Sequence, residues 1–154
     1  MAIPRYYALV SGIGKSKYPL VAFDDALLHA GISDYNLVKV SSILPPNCVF
    51  CERHEKIPLP KGSLVFAAYA SLTLKEHESG SVAVGVATSI DSSKNGVIFE
   101  LSSPEPCAET YVREMCVEAM ANRGRAVNEV RSKSESFCGE PNVAVCGVAA
   151  VIMW

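Results

Sequence analysis

The chain has 154 residues, a net charge of −2 and no cluster of Lys or Arg. One domain with a single core fits that length, and the electrostatic footprint of a nucleic-acid binder is missing. The opening MAIPRYYALVSG does not read as a secretion signal and no window approaches the ~20 apolar residues that span a bilayer, which predicts a cytoplasmic protein with neither membrane nor nucleic acid as partner.

β-Branched and aromatic runs bounded by Gly, Pro, Ser or Asn predict strands, the first over Tyr6 to Ser11. The next residues, Gly12-Ile13-Gly14-Lys15-Ser16, echo a phosphate loop. The first glycine of that motif would fall at position 9, which is Leu9, so a surface turn is predicted instead. A helix follows over Asp24 to Ala30, with Asp24 or Asp25 as its cap and Gly31 to end it. Tyr35 to Val40 reads as a strand that stops at Ser41-Ser42, ahead of Ile43-Leu44-Pro45-Pro46. From Ile43 to Ser63 about twenty residues show neither helical nor strand period and carry four prolines, and such long connections inside a compact domain are usually functional. Strands are predicted over Leu64 to Leu74, Val82 to Ile90 and Val97 to Leu101; Val82, Val84 and Val86 alternate with Ala and Gly, so one face meets another layer through small residues. A second helix is predicted over Pro104 to Arg123, capped by Ser103, with Val112, Met115, Cys116, Ala119 and Met120 as its apolar stripe and Gly124 beyond its end. Val127 to Arg131 and Val143 to Met153 complete a strand-rich chain with two helices, implying two sheets or one wide one.

Six cysteines could form three disulfides, but a chain this long does not need staples, and they are predicted to be reduced. Cys48-Val49-Phe50-Cys51 with His54 resembles half of a zinc site or a redox pair. There is no second Cys-x-x-Cys to complete four ligands, and the surrounding prolines oppose the helix a redox pair would open, so the cysteines read as loop residues and no metal is predicted. His29, His54 and His77 have no evident nucleophile partner. The chain holds three serine pairs. Ser92-Ser93 lies in a polar turn and Ser102-Ser103 precedes a helix, whereas Ser41-Ser42 sits between Val40 and Ile43-Leu44. A hydroxyl held against its preceding carbonyl in a strained, partly buried turn can attack it and exchange the amide for an ester.

The segment FDDALLHAGISDYNLVKVSSILPP, with LPKGSLVFAAYA, SGSVAVGVA, GVIFEL and the closing CGVAAVIMW, resembles pyruvoyl-dependent arginine decarboxylase over nearly the whole chain. The resemblance implies an α/β (α+β) fold, a layered sandwich of β-sheets flanked by helices, assembled as a trimer with active sites between subunits. It implies self-cleavage between Ser41 and Ser42 into residues 1–41 (β chain) and 42–154 (α chain), with Ser42 converted to a covalent pyruvoyl group. Decarboxylation leaves a carbanion that no side chain can store, and cofactors normally supply the electron sink; here the substrate amine would form a Schiff base with the pyruvoyl ketone, turning L-arginine into agmatine and CO2. The family pattern places an asparagine for processing at Asn36, the carboxylate for the guanidinium at Asp24 and the proton donor at Glu100. Without the resemblance, Asn36 reads as a strand-initiating turn residue, Asp24 as a helix cap and Glu100 as a solvated carboxylate at a strand end. The chain departs from the family at Asp25, commonly Gly, and at Tyr69-Ala70, commonly Tyr-Gly. A pyruvoyl decarboxylase of another amino acid, a non-cleaving oligomeric homologue, and a small zinc protein built on Cys48, Cys51 and His54 are the rival readings.

Overall fold

The computed structural model describes residues 3–52 and 57–154. Among them are nine strands and two helices in the order β1 (Tyr6–Ser16), α1 (Pro19–His29), β2 (Asn36–Lys39), β3 (Ile43–Leu44), β4 (Val49–Phe50), β5 (Leu64–Leu74), β6 (Ser79–Ser89), β7 (Gly96–Ser103), α2 (Ala108–Asn122), β8 (Val127–Cys138) and β9 (Ala144–Met153). One sheet runs β2-β5-β9-β1-β4 and the other β3-β7-β6-β8. Pairing is antiparallel except for β1 with β4 and β2 with β5, which are parallel.

The layers follow from strand periodicity, because alternate side chains leave opposite faces of a sheet. In β9, Cys146, Val148, Ala150 and Ile152 share a cluster with Ala22, Ala26 and Leu27 of α1. The intervening Ala149, Val151 and Met153 meet Val82, Val84, Val86 and Ile98 of the other sheet. β9 is therefore buried on both faces, which is why its sequence is apolar throughout. On β6 the valines face the partner sheet as expected, while Ala83 and Ala87 face α2 with Val112, Cys116 and Met120. The result is a helix-sheet-sheet-helix sandwich, the fold class expected from the sequence. Among the described residues no helix is long and apolar enough to cross a membrane.

Several boundaries differ from expectation for physical reasons. β1 does not stop at Ser11: Gly12 to Ser16 remain paired with Val148 to Ala144 of β9, so the glycine pair lies within a strand and not in a surface turn. A Cβ on Gly12 or Gly14 would strike the α1 backbone, so these glycines let helix and sheet approach. Helix α1 begins at Pro19, whose fixed φ suits a first turn, after Tyr18 with no side-chain cap. Asp24 and Asp25 thus lie inside the helix and cap nothing; the Asp25 carboxylate instead accepts the Lys15 backbone N–H at 2.9 Å. Helix α2 begins at Ala108, not Pro104, because β7 runs through Ser103 and Glu105 precedes a second proline that disfavours helical backbone there. Gly31 and Gly124 follow the helices with φ of +80° and +61°, as helix-ending glycines should. The connection after Ser42 contains the short strands β3 and β4, and β8 extends to Cys138 through polar residues.

Candidate active site

The segment from Asn36 to Leu44 passes from one sheet to the other. β2 pairs with β5, Lys39 facing Ala67, and the Val40 N–H still donates to the Ala67 carbonyl at 3.0 Å. Two residues later the Ile98 N–H of β7 donates to the Ser42 carbonyl at 2.7 Å, and β3 pairs Ile43 with Val97. Ser41-Ser42 is therefore the crossing itself, anchored on both sides by backbone hydrogen bonds. Ser42 is half-buried and Ser41 exposed. Ser41 borders an apolar groove of about 320 Å³ with Val40, Ile43, Phe66 and Met153. The expected strain is not carried by a left-handed backbone at the serines, since the non-glycine residues with positive φ are Asn47, His77 and Asn142.

Glu100 lies two residues beyond Ile98 on β7. Ile98 faces the other sheet and Val97 and Phe99 face α2, so alternation turns Glu100 toward the interior of the sandwich. It is half-buried, and burial pushes its carboxyl above the usual carboxylate range, opposed by the positive charge of Lys39. A carboxyl shifted in this direction keeps a transferable proton closer to neutral pH. The largest cause of the rise is desolvation, so Glu100 is not the solvated strand-end carboxylate that it reads as without the resemblance.

Asn36 opens β2. Its backbone N–H donates to Ser63 O at 2.9 Å, and its side-chain amide donates to Gly62 O at 2.7 Å, fastening the turn where Gly62 adopts φ +84°. In this arrangement its side chain serves the turn.

Asp24 is exposed on α1, on the outer face of the five-stranded sheet, while Glu100 belongs to a strand of the other sheet and Ser42 immediately precedes one. Its neighbour Phe23 packs against the Tyr69 ring at 6.2 Å between centroids, and the Lys39 ammonium sits 4.6 Å from the Tyr69 centroid. Within one chain, then, Ser42 is held through Ile98 against the strand that carries Glu100, while Asp24 lies on α1 over the other sheet. Lys39 and Tyr69 were not singled out as site residues from sequence. The available signal was the lone cation in NLVKV, three residues ahead of Ser42.

The cysteine pair flanks β4, with Cys48 and Cys51 both half-buried and all six cysteines free thiols. Burial pushes the Cys48 thiol up to about 11, which keeps it neutral at ordinary pH. His54 lies outside the described residues.

The chain is similar to known proteins over nearly its whole length. The family model described as pyruvoyl-dependent arginine decarboxylase matches residues 6–153. Proteins named pyruvoyl-dependent arginine decarboxylase from Methanococcus vannielii and Methanococcus aeolicus are 38% and 40% identical to it, each over 98% of this chain and 91% and 90% of their own. One from Methanopyrus kandleri is 39% identical over 100% of this chain and 99% of its own. On the strength of a match that runs through both sheets and both helices, the chain belongs to the pyruvoyl-dependent arginine decarboxylase family.

Proposed function

We propose that this protein is a self-processing decarboxylase that converts L-arginine to agmatine and CO2 with a pyruvoyl group made from its own Ser42. The observation that carries the reading is the crossing at Ser41-Ser42, tied to Ile98 on the strand that presents the half-buried Glu100 two residues further on.

Processing needs only residues of the crossing. The Ser42 hydroxyl attacks the Ser41 carbonyl carbon, and the Ser41–Ser42 amide C–N bond breaks to leave an ester and a free amine on residue 42. Loss of the Cα proton of residue 42 and cleavage of its Cβ–O bond release Ser41 as a new carboxylate. Addition of water and departure of ammonia then leave a ketone at the head of residues 42–154. The residues present fit the group: the Ser42 carbonyl is already held by the Ile98 N–H, and the apolar groove beside Ser41 supplies low-dielectric walls. When formed, the pyruvoyl group supplies the electron sink that decarboxylation demands. Glu100 holds the proton to be returned to the substrate carbon, and the carboxylate of Asp24 matches the guanidinium as a two-point hydrogen-bond acceptor. Asn36 assists processing by fixing the start of β2 and hence the path of the crossing.

The separation of Asp24 from Ser42 and Glu100 in one chain supports a homotrimer in which a neighbouring copy completes each site, and the exposed Leu20, Val21 and Leu28 on α1 offer apolar surface for that contact. A cytoplasmic setting suits a free-thiol protein. The test is arginine-dependent CO2 release by the purified protein, with agmatine as the product and Ser42→Ala inactive. Release from a different amino acid in preference to arginine would replace the substrate; an uncleaved protein without decarboxylase activity would overturn the reading.

A further inference from the structure

The face of the Tyr69 ring already holds a cation. The ammonium of Lys39 lies 4.6 Å from its centroid, and Phe23 flanks the same ring at 6.2 Å with an interplanar angle of 41°. All three residues lie on the α1 side of the five-stranded sheet, where Phe23 and Tyr69 pack against one core cluster and Lys39 shares the face of Leu37 on the edge strand β2. Tyr69 is half-buried and Lys39 exposed, so the cation covers an aromatic face that would otherwise meet solvent. Asp24 follows Phe23 directly on α1 and is itself exposed.

These features amount to the parts of a cation-recognition platform: an aromatic face, a second ring to limit its width, a carboxylate one residue from that ring, and a flexible side chain that occupies the face when nothing else does. A planar, delocalised guanidinium stacks on an aromatic face better than the compact, strongly hydrated ammonium of lysine. We propose that Tyr69 is a specificity-determining residue, its ring taking the guanidinium of the substrate in exchange for the ammonium of Lys39, which acts as a placeholder. The proposal rests on the arginine decarboxylase reading and adds to it the surface that selects guanidinium. The carboxylate fixes the position of the guanidinium by hydrogen bonds, and the ring discriminates planar from tetrahedral cations.

Four variants of the full chain test this by steady-state kinetics together with the extent of self-cleavage. Tyr69→Leu removes the ring and should raise KM for arginine and the inhibition constant of agmatine by between about twofold and thirtyfold, the range of a cation–π contact from exposed to desolvated. Cleavage should persist and kcat should change far less. Tyr69→Phe retains the ring and should restore both constants, which a role for the hydroxyl would not allow. Lys39→Met removes the competitor and should lower KM, whereas Lys39→Arg should not. An active wild type whose KM is unmoved in Tyr69→Leu, or moved equally in Tyr69→Phe, overturns the platform alone. A rise in KM on Lys39→Met overturns the exchange. A wild type that is cleaved yet shows no preference for arginine overturns the decarboxylase reading and the platform with it.

Discussion

Gly14 tests whether the close approach of α1 to β1 is what sets the position of Asp24. A Cβ at Gly14 would strike Ala26 N and Ala22 O and come within 2.6 Å of the Asp25 carbonyl carbon, all backbone atoms of α1. Ordinary contact between such atoms needs about 3.5 Å, so the helix must retreat by about 1 Å. No side chain can swing aside to relieve the clash. Overpacking costs about 1 to 3 kcal/mol, and contacts made only with backbone place Gly14→Ala at about 3 kcal/mol. For a chain of this length that is a fall in Tm of about 6 to 12 °C. Gly124→Ala is the control: Gly124 has φ +61° and no atom within 4 Å of its Cβ position, so only left-handed backbone strain of about 1 to 2 kcal/mol applies. Thermal melts give the stability, and KM for arginine reports where Asp24 has moved. Gly14→Ala should raise KM and Gly124→Ala should leave it alone. A Gly14→Ala protein that melts within 2 °C of the wild type, within roughly 1 kcal/mol by the same conversion, would refute the reasoning.

Glu100→Gln should still cleave and bind arginine while kcat falls by about 10² to 10⁴, the usual worth of a general acid; a wild-type rate would return Glu100 to a structural role. Because burial raises the Glu100 pKa in the folded state, its contribution to stability is full below the unfolded value of about 4.3 and is lost as pH climbs through the folded one. Glu100→Gln should therefore gain Tm over the wild type between pH 4 and 8, and a gap independent of pH would contradict that sign. Asp24→Asn should raise KM for arginine by at least tenfold, corresponding to about 1.4 kcal/mol of lost charge-assisted binding, with little change in melting because Asp24 caps no helix. A variant that binds normally and melts early would reverse the assignment. Cys48→Ser with Cys51→Ser should keep cleavage and activity, since a thiol held near 11 is a poor nucleophile and ligand; stoichiometric zinc lost together with stability would restore the metal alternative.

The sequence revealed what local rules control. Apolar period located most strands, Gly31 and Gly124 marked the helix ends, and the alternation of Val82, Val84 and Val86 identified a face packed on a second layer. What it concealed depends on the third dimension. Gly12 to Ser16 looks like a turn because glycines usually make turns, yet here they are thin places in a strand under a helix. Asp25 looks like a cap, but its partner is the Lys15 backbone on a different element. At the candidate site, Ser41-Ser42 stood out by its apolar flanks, Glu100 was marked only by the family pattern, and Tyr69 and Lys39 gain meaning only through a parallel pairing between separate strands.

The central claim is that the chain breaks itself at the crossing between the two sheets. Mass spectrometry of the purified, denatured protein measures this directly. Two fragments are expected, residues 1–41 and 42–154, whose summed mass exceeds that of the intact chain by one water less one ammonia, the second fragment resisting Edman degradation. Ser42→Ala should remain a single chain. An intact wild-type chain with full arginine decarboxylase activity would contradict the account, because the activity would then owe nothing to Ser42.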